Sequence, residues 1–264
     1  MRLVRFLVDG QVRYGVLEGD RVRELLRPFF EGLVPMNAAR PLADVELLAP
    51  SRPSKMLCVG LNYRDHAEEM GEPIGDEPVL FMKPTTALAA HGQPIVYPKM
   101  AGRVDYEAEL AVVIGRRCRS VAVEEADDFI LGYTCFNDVT ARDLQAKDGQ
   151  WTRAKGFDTF GAMGPWIETD PGDTGRLTVT SRLNGDVRQQ STTEQLVFSC
   201  RDLVSWASRI MTLEAGDVIA TGTPAGIGPM QPGDQVEVEV EGIGTLKNPV
   251  VAEPDDGAEA VTVR

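Results

Sequence analysis

Short alternations of apolar and polar residues, punctuated by glycine and proline, run along most of the chain and predict a β-rich protein. Residues 2–8 and 11–17 alternate on either side of Asp9-Gly10, a dipeptide typical of a two-residue β-hairpin turn. A second hairpin is predicted around Asn184-Gly185. Further strands are predicted at 55–60, 79–83, 105–115, 130–139 and 236–240.

Helical patterns are fewer and shorter than the strand patterns. Residues 24–30 predict a short helix near the N-terminus. Residues 62–71 predict another, because Asn62 suits a helix start and Gly71 a helix end. Residues 199–211 predict an amphipathic helix that opens with a capping box from Ser199 and Asp202. Weaker helical patterns occur at 124–128 and 140–145, and residues 149–161 are predicted to be irregular.

Proline positions divide the chain into unequal parts. Pro35, Pro41, Pro50 and Pro53 interrupt regular structure, which predicts a small N-terminal α/β module over residues 1–52. A main domain is then expected over 53–252, followed by a charged C-terminal tail over 253–264. With 264 residues and 43% hydrophobic content, the chain is long enough to bury a sizeable core.

The net charge bears on the class of partner, and the cysteine spacing bears on the state of the thiols. The 27 basic and 40 acidic residues give a net charge of −13, which argues against a nucleic-acid or anionic-membrane partner. The N-terminus has no signal-peptide pattern, and no apolar run reaches membrane-spanning length, so we expect a cytoplasmic protein. The cysteines are scattered without a C-x-x-C pair and are expected to be buried free thiols.

An acidic pattern within residues 105–115 offers candidate chemistry. Glu107 and Glu109 share one face of the predicted strand, as they would on any solvated strand; Glu237 and Glu239 show that ordinary pattern. Glu109, however, leads directly into a continuous apolar run, and buried carboxylates need a compensating cation. Asp138 ends the next apolar strand, as a third ligand would. Both interpretations stay open; as a metal site, its oxygen ligands favour Mg²⁺, with Mn²⁺ or Ca²⁺ as substitutes.

A histidine and a lysine add two further candidates. His66 and Glu69 stand three positions apart on a predicted helix, so they form either a surface pair or a catalytic dyad. The following residues, 71–78, are rich in Gly, Pro and Glu, a composition that fits a mobile lid. Lys83 ends a predicted strand and is either a solvated surface residue or a contact for a substrate carboxylate.

Several ordered segments together resemble the fumarylacetoacetate hydrolase superfamily. The resemblance covers roughly residues 53–252, and its segments are 60–69, 81–84, 106–110, 137–145, 154–161 and 216–226. It implies a mixed β-sandwich roll, mainly β with few helices (α+β), that assembles as a homodimer.

The resemblance also implies a role for individual residues. Glu107, Glu109 and Asp138 would bind Mg²⁺ or Mn²⁺, while His66 and Glu69 would form the catalytic dyad on a lid. Lys155 would be the active-site lysine. Substrate-binding positions would be Lys83, on weaker grounds, together with Arg142, Gln145, Thr159 and Thr223.

The implied substrate is a small 2-oxo acid. Pyruvate enolate would be released either by hydrolysis of an acylpyruvate or by decarboxylation of oxaloacetate, both with help from a Lewis-acidic metal. The alternatives are a 2-hydroxyhepta-2,4-diene-1,7-dioate isomerase or decarboxylase of aromatic catabolism, and a metal-stabilised 2-oxo-acid binding protein without turnover.

Overall fold

The computed structural model describes residues 1–255 and is built mainly from strands. The strands are β1 (Arg2–Val8), β2 (Gln11–Glu18), β3 (Arg21–Leu25), β4 (Pro35–Pro41), β5 (Glu46–Leu48), β6 (Met56–Gly60), β7 (Val79–Lys83), β8 (Leu88–Ala89), β9 (Ile95–Tyr97), β10 (Val104–Tyr106), β11 (Ala108–Ile114), β12 (Ile130–Asp138), β13 (Thr140–Ala141), β14 (Gly161–Glu168), β15 (Thr178–Leu183), β16 (Asp186–Thr192), β17 (Val218–Ala220), β18 (Gly228–Met230), β19 (Gln235–Val240) and β20 (Gly244–Ala252). The α-helices are α1 (Arg64–Met70), α2 (Arg142–Asp148), α3 (Thr152–Lys155) and α4 (Cys200–Ile210). The predicted class, mainly β with few helices, is confirmed.

Most strands join one large sheet, and two smaller sheets lie beside it. The 12-stranded sheet runs β4-β3-β2-β1-β14-β12-β11-β17-β6-β7, with β5 paired to β1 and β8 paired to β14. A 5-stranded sheet runs β16-β15-β19-β20-β9, and a 3-stranded sheet runs β13-β10-β18. Strands β10 and β11 are adjacent in the chain but belong to different sheets, so the chain changes sheet between them.

Strand β11 lies at the centre of the large sheet and is covered on both faces. Leu110, Val112 and Ile114 pack into a core shared with α4 and the 5-stranded sheet. Ala111 and Val113 point the other way, into a core shared with residues of the N-terminal segment. Burial of both faces explains why the apolar run is continuous rather than alternating.

The N-terminal segment extends the large sheet. The hairpin predicted at Asp9-Gly10 is confirmed, and both turn residues have the positive φ that this turn requires. The helix predicted over 24–30 is wrong, because β3 continues to Leu25 and only a 3-10 turn, Phe29–Glu31, follows. Glu24 accepts a 2.6 Å hydrogen bond from Arg40 on the neighbouring strand, so pairing across the sheet prevails over local helical preference.

Local signals elsewhere match the structure at most of their positions. The Asn184-Gly185 hairpin and the Ser199–Asp202 capping box of α4 are both present. Gly71 ends α1 in the left-handed conformation, at φ 66°. Residues 149–161 contain the short helix α3 and are therefore not irregular throughout.

Other sequence expectations concern solubility, thiols and the tail. Among residues 1–255, the structure contains no helix that combines the length and apolar character needed to cross a membrane. All the cysteines are buried free thiols. The charged tail predicted from residue 253 lies largely outside the described residues, although Glu253 still accepts a 2.6 Å hydrogen bond from the backbone of Lys99.

Asp217 fixes the segment that enters β6, and its replacement tests the stability of that junction. The fully buried carboxylate accepts hydrogen bonds from the backbone of Ser54 (2.9 Å) and Glu214 (2.7 Å) and forms an ion pair with Lys55. In Asp217→Asn the new amide would face these donors, so we expect a loss of about 3 kcal/mol in the free energy of unfolding. Urea denaturation measures this loss. The exposed Asp186→Asn is the control, and equal stability of the two variants would contradict the assignment.

Candidate metal centre and active site

Three buried carboxylates converge where β11 and β12 pair. Glu107 precedes β11, Glu109 is its second residue, and Asp138 ends β12. The antiparallel register sets Ala108 opposite Asn137, which brings the carboxylates together from both strands. One oxygen of each lies within 4.8 Å of the others, a separation that a single cation can bridge.

The change of sheet at Glu107 produces this convergence. The backbone N–H of Glu107 donates to the side chain of Asn137 at 3.0 Å instead of to a strand neighbour. The backbone N–H of Asp138 donates to the carbonyl oxygen of Glu107, also at 3.0 Å. The prediction that Glu107 and Glu109 lie on one continuous strand is therefore wrong in detail, although both carboxylates still reach a common point.

Two lysines partly neutralise the carboxylates. Lys155 Nζ donates to Glu107 at 2.9 Å and to Asp138 at 2.6 Å, and Lys83 Nζ lies 2.6 Å from the other oxygen of Asp138. Burial alone would lower the pKa of Lys155, but the charges of Asp138 and Glu107 outweigh it and raise that pKa. Burial would raise the pKa of Glu107, yet Lys155 and Arg142 outweigh burial and lower it.

Glu109 is the carboxylate that the lysines do not neutralise. Among residues 1–255 it forms no ion pair, and its carboxylate accepts a 2.9 Å hydrogen bond from the backbone of Gly222. Burial, followed by the charges of Asp138 and Glu107, raises its pKa well above the ordinary value. The other oxygen of the Asp138 carboxylate, by contrast, forms an ion pair with Lys83 at 2.6 Å. This acidic triad, Glu107, Glu109 and Asp138, could therefore bind a divalent metal ion.

The predicted dyad is present on α1. His66 Nδ1 lies 3.0 Å from Glu69 Oε2, and the backbone N–H of Gly226 donates to the other oxygen of Glu69 at 3.0 Å. A carboxylate only accepts, so Nδ1 carries the proton and Nε2 is the basic nitrogen. Asn62 anchors the start of this segment with hydrogen bonds to Phe198 and Thr221, so it does not cap the helix as predicted.

His66 and the acidic triad line one cavity of about 280 Å³. Predicted site residues that line it are His66, Glu107, Glu109, Asp138, Arg142, Gln145, Lys155 and Thr223. Arg142 donates to Glu107, to Asp105 (3.0 Å) and to Gln145 (2.9 Å). Apolar side chains that also line the cavity are Val59, Leu61, Met70, Phe81 and Trp151. The cavity lining thus combines charged and apolar side chains.

Three predicted site residues lie away from the cavity lining. Glu69 stands behind His66, which it orients. Lys83 is fully buried and donates to two backbone carbonyls, those of Val139 (3.0 Å) and Lys155 (2.6 Å). These contacts hold its ammonium group beside Asp138. Thr159 lies elsewhere: its hydroxyl accepts the backbone N–H of Val96 at 2.8 Å, and the structure does not bring it to the site.

The sequence analysis did not identify the apolar side chains of the cavity lining or Asp105. Trp151 lies against Gly60, where an added Cβ would be 2.9 Å from the indole ring, and packs edge-on against Phe81 at 5.2 Å between ring centroids. The only sequence signal for this packing was Gly60 at the end of a strand, since a glycine leaves space for a bulky ring. Asp105 is fully buried and accepts hydrogen bonds from Arg103 and Arg142, and its sequence position alone did not distinguish it from Glu107.

Comparison with family models matches nearly the whole chain. Residues 55–251 match the family described as fumarylacetoacetate (FAA) hydrolase, C-terminal. Residues 1–50 match a family described as Rv2993c-like, N-terminal.

Known proteins similar to this chain carry several enzyme names. A crystal structure of 5-carboxymethyl-2-hydroxymuconate delta-isomerase from Mycobacterium smegmatis is 47% identical, with a TM-score of 0.91 over 96% of this chain and 100% of that one. A mitochondrial oxaloacetate tautomerase of Xenopus laevis is 41% identical over 79% of this chain and 69% of its own. Maleylpyruvate hydrolase from Sphingobium sp. SYK-6, solved with manganese(II) ion and pyruvate, is 34% identical, with a TM-score of 0.80 over 96% of this chain and 100% of that one.

Proposed function

The chain belongs to the fumarylacetoacetate hydrolase family, whose members are enzymes, and we propose that it is a divalent-metal-dependent enzyme acting on small 2-oxo acids. The proposed reaction releases pyruvate, by hydrolysis of an acylpyruvate or by decarboxylation of oxaloacetate. The observation that carries the proposal is the buried acidic triad, which lines one cavity together with His66. The manganese and pyruvate in the Sphingobium relative support the choice of ligand chemistry.

The acidic triad would hold the metal, with Mg²⁺ as the proposed ion and Mn²⁺ as its substitute. When bound, such an ion supplies Lewis-acid stabilisation of negative charge that develops on the 2-oxo oxygen of the substrate. Arg142 still has unused N–H groups after its bonds to Asp105, Glu107 and Gln145, and these would bind the substrate carboxylate.

His66 would act as the general base for hydrolysis. Glu69 holds Nδ1 protonated, so Nε2 can accept a proton from a water molecule that attacks the carbonyl remote from the carboxylate. The bond between that carbonyl and the adjacent methylene then breaks, and its electron pair leaves with pyruvate as the enolate. His66 returns the proton to the methylene carbon, and Lys155 stabilises the negative oxygen throughout. Decarboxylation of oxaloacetate gives the same enolate without water.

Tautomerisation is a second candidate activity. It is favoured by the 41% identity to the oxaloacetate tautomerase and by a single histidine base facing the cavity. His66 would move one proton between carbon 3 and the 2-oxo oxygen, and no carbon–carbon bond would break.

Pyruvate release tests the proposed function. Oxaloacetate and acetylpyruvate would be compared with Mg²⁺, with Mn²⁺ and with EDTA, after subtraction of the decarboxylation that the metal alone causes. We expect metal-dependent pyruvate release from at least one substrate and none with EDTA. Enol-to-keto conversion of oxaloacetate, followed by ultraviolet absorbance, identifies the tautomerase. If neither pyruvate nor conversion is observed with metal present, the proposal fails.

The variant His66→Ala separates an enzyme from a 2-oxo-acid binding protein. We expect turnover to fall about 10³-fold, since a positioned base contributes roughly 10²–10⁴. Oxalate, a mimic of pyruvate enolate, should still bind with metal, because the acidic triad is intact; calorimetry measures this. His91→Ala is the control, since the only other histidine of the chain lies in a loop outside the cavity lining. Full turnover in His66→Ala would contradict the assigned base.

A further inference from the structure

Gln189 is a buried polar residue in an otherwise exposed part of β16. Its side chain is fully buried, whereas its neighbours Arg188 and Gln190 are exposed. It belongs to the 5-stranded sheet, but it reaches across to the start of β11 in the large sheet. Buried side-chain amides are nearly always hydrogen-bonded, so the partners of this amide show what it connects.

The amide of Gln189 connects the acidic triad to the loop of residues 221–227, between β17 and β18. Its Oε1 accepts the backbone N–H of Ala108 at 3.0 Å, and Ala108 lies between Glu107 and Glu109. Its Nε2 donates to Thr223 Oγ1 at 2.8 Å and to the carbonyl oxygen of Pro224 at 2.7 Å. The Thr223 hydroxyl in turn donates to the carbonyl oxygen of Ala108 at 2.9 Å.

The same loop holds the dyad. The backbone N–H of Gly226 donates to Glu69, and the hydroxyl of Tyr106 donates to the carbonyl oxygen of Gly226 at 3.2 Å. Gly226 also packs closely against β16, where an added Cβ would lie 2.4 Å from the carbonyl oxygen of Arg188, and its φ is +98°. Strand β16 therefore determines where the Gly226 N–H points, and so where Glu69 and His66 rest.

We propose that Gln189 is a positioning residue that holds the dyad and the acidic triad in one fixed relative geometry. Gln189 is not among the residues that line the cavity. Its Oε1 fixes the backbone between two metal-binding carboxylates, and its Nε2 fixes the loop that binds Glu69. Groups of this kind commonly change metal affinity or activity by about 10–100-fold when they are replaced. The catalytic consequence rests on the proposed function, but the structural coupling does not.

Gln189→Met keeps the side-chain length and removes the amide. We expect kcat to fall about 10–100-fold with little change in KM, and the Kd for Mn²⁺ to rise by about tenfold. Hydrogen exchange should accelerate specifically in residues 64–71 and 221–227. Gln190→Met, at the exposed neighbour, is the matched control and should leave kcat, the Kd for Mn²⁺ and exchange unchanged.

A second variant separates the two halves of the coupling. Gln189→Glu can still accept the N–H of Ala108, but its carboxylate cannot donate to Thr223 or Pro224, so exchange in residues 64–71 should rise as in Gln189→Met. If both Gln189 variants show unchanged exchange in residues 64–71, the proposal is overturned, and so it is if exchange accelerates evenly over the chain. Because exchange and Mn²⁺ affinity require no substrate, they decide the proposal even if wild-type protein turns over nothing tested.

Discussion

Glu109→Gln is expected to lower metal-dependent turnover by about 10³-fold and to leave the metal-free protein at least as stable as wild type. A bound metal contributes several kcal/mol of charge stabilisation, and each 1.36 kcal/mol corresponds to about tenfold in rate. Stability should hold because Glu109 has no cation partner among residues 1–255, and the neighbouring carboxylates and burial already disfavour its ionised form. Gln keeps the shape and can still accept the N–H of Gly222.

Thermal unfolding with and without Mn²⁺ distinguishes ligand loss from structural damage. Wild type should gain stability on addition of Mn²⁺, whereas Glu109→Gln should gain little, since ligand binding to the native state stabilises it by mass action. Glu237→Gln is the matched control, because that residue alternates in the same way on β19 but pairs with Lys247 at 3.0 Å. Full activity of Glu109→Gln at limiting metal concentration would remove Glu109 from the ligand set.

Lys155→Met is expected to have the opposite effect on the metal-free protein. It removes the ammonium group that contacts Glu107 and Asp138, and so leaves both buried carboxylates without that cation. Breaking a buried pair in this way typically costs about 3–5 kcal/mol in the free energy of unfolding. Added Mn²⁺ should recover part of the lost stability, because it supplies positive charge to the same carboxylates.

The turnover of Lys155→Met should also fall, and metal should not restore it. The proposed role of Lys155 is to stabilise negative oxygen during the reaction, which a metal in the acidic triad would not replace. Denaturant unfolding and steady-state kinetics on the same preparation measure both effects, with Lys247→Met as an exposed control. Wild-type stability without metal, combined with wild-type turnover, would show that the ammonium group has neither role.

Local sequence signals were sufficient for much of the fold. The Asp9-Gly10 and Asn184-Gly185 turns and the capping box of α4 depend on residues close in sequence, so the sequence could predict them. The prediction of a helix over residues 24–30 was wrong because β3, which includes the first two of these residues, pairs with β2 and β4. Local helix propensity carries no information about such pairing. The homodimer implied by the family resemblance stays a prediction, which light scattering can test.

The sequence predicted those site residues whose position next to an apolar run indicates burial. A carboxylate leading into a continuous apolar run pointed to Glu109, and the end of the next run pointed to Asp138. The change of sheet at Glu107 depends on the separate partners of β10 and β11, which no local pattern shows. Long-range contacts likewise decide that Thr159 faces Val96 and that Gln189 reaches Ala108.

The most direct test of the central claim is anomalous diffraction from crystals grown with Mn²⁺ and pyruvate. We predict one strong manganese peak per chain, bonded by Glu107, Glu109 and Asp138, with pyruvate beside it in the cavity that His66 lines. A manganese peak elsewhere, or none at saturating Mn²⁺, would contradict the account.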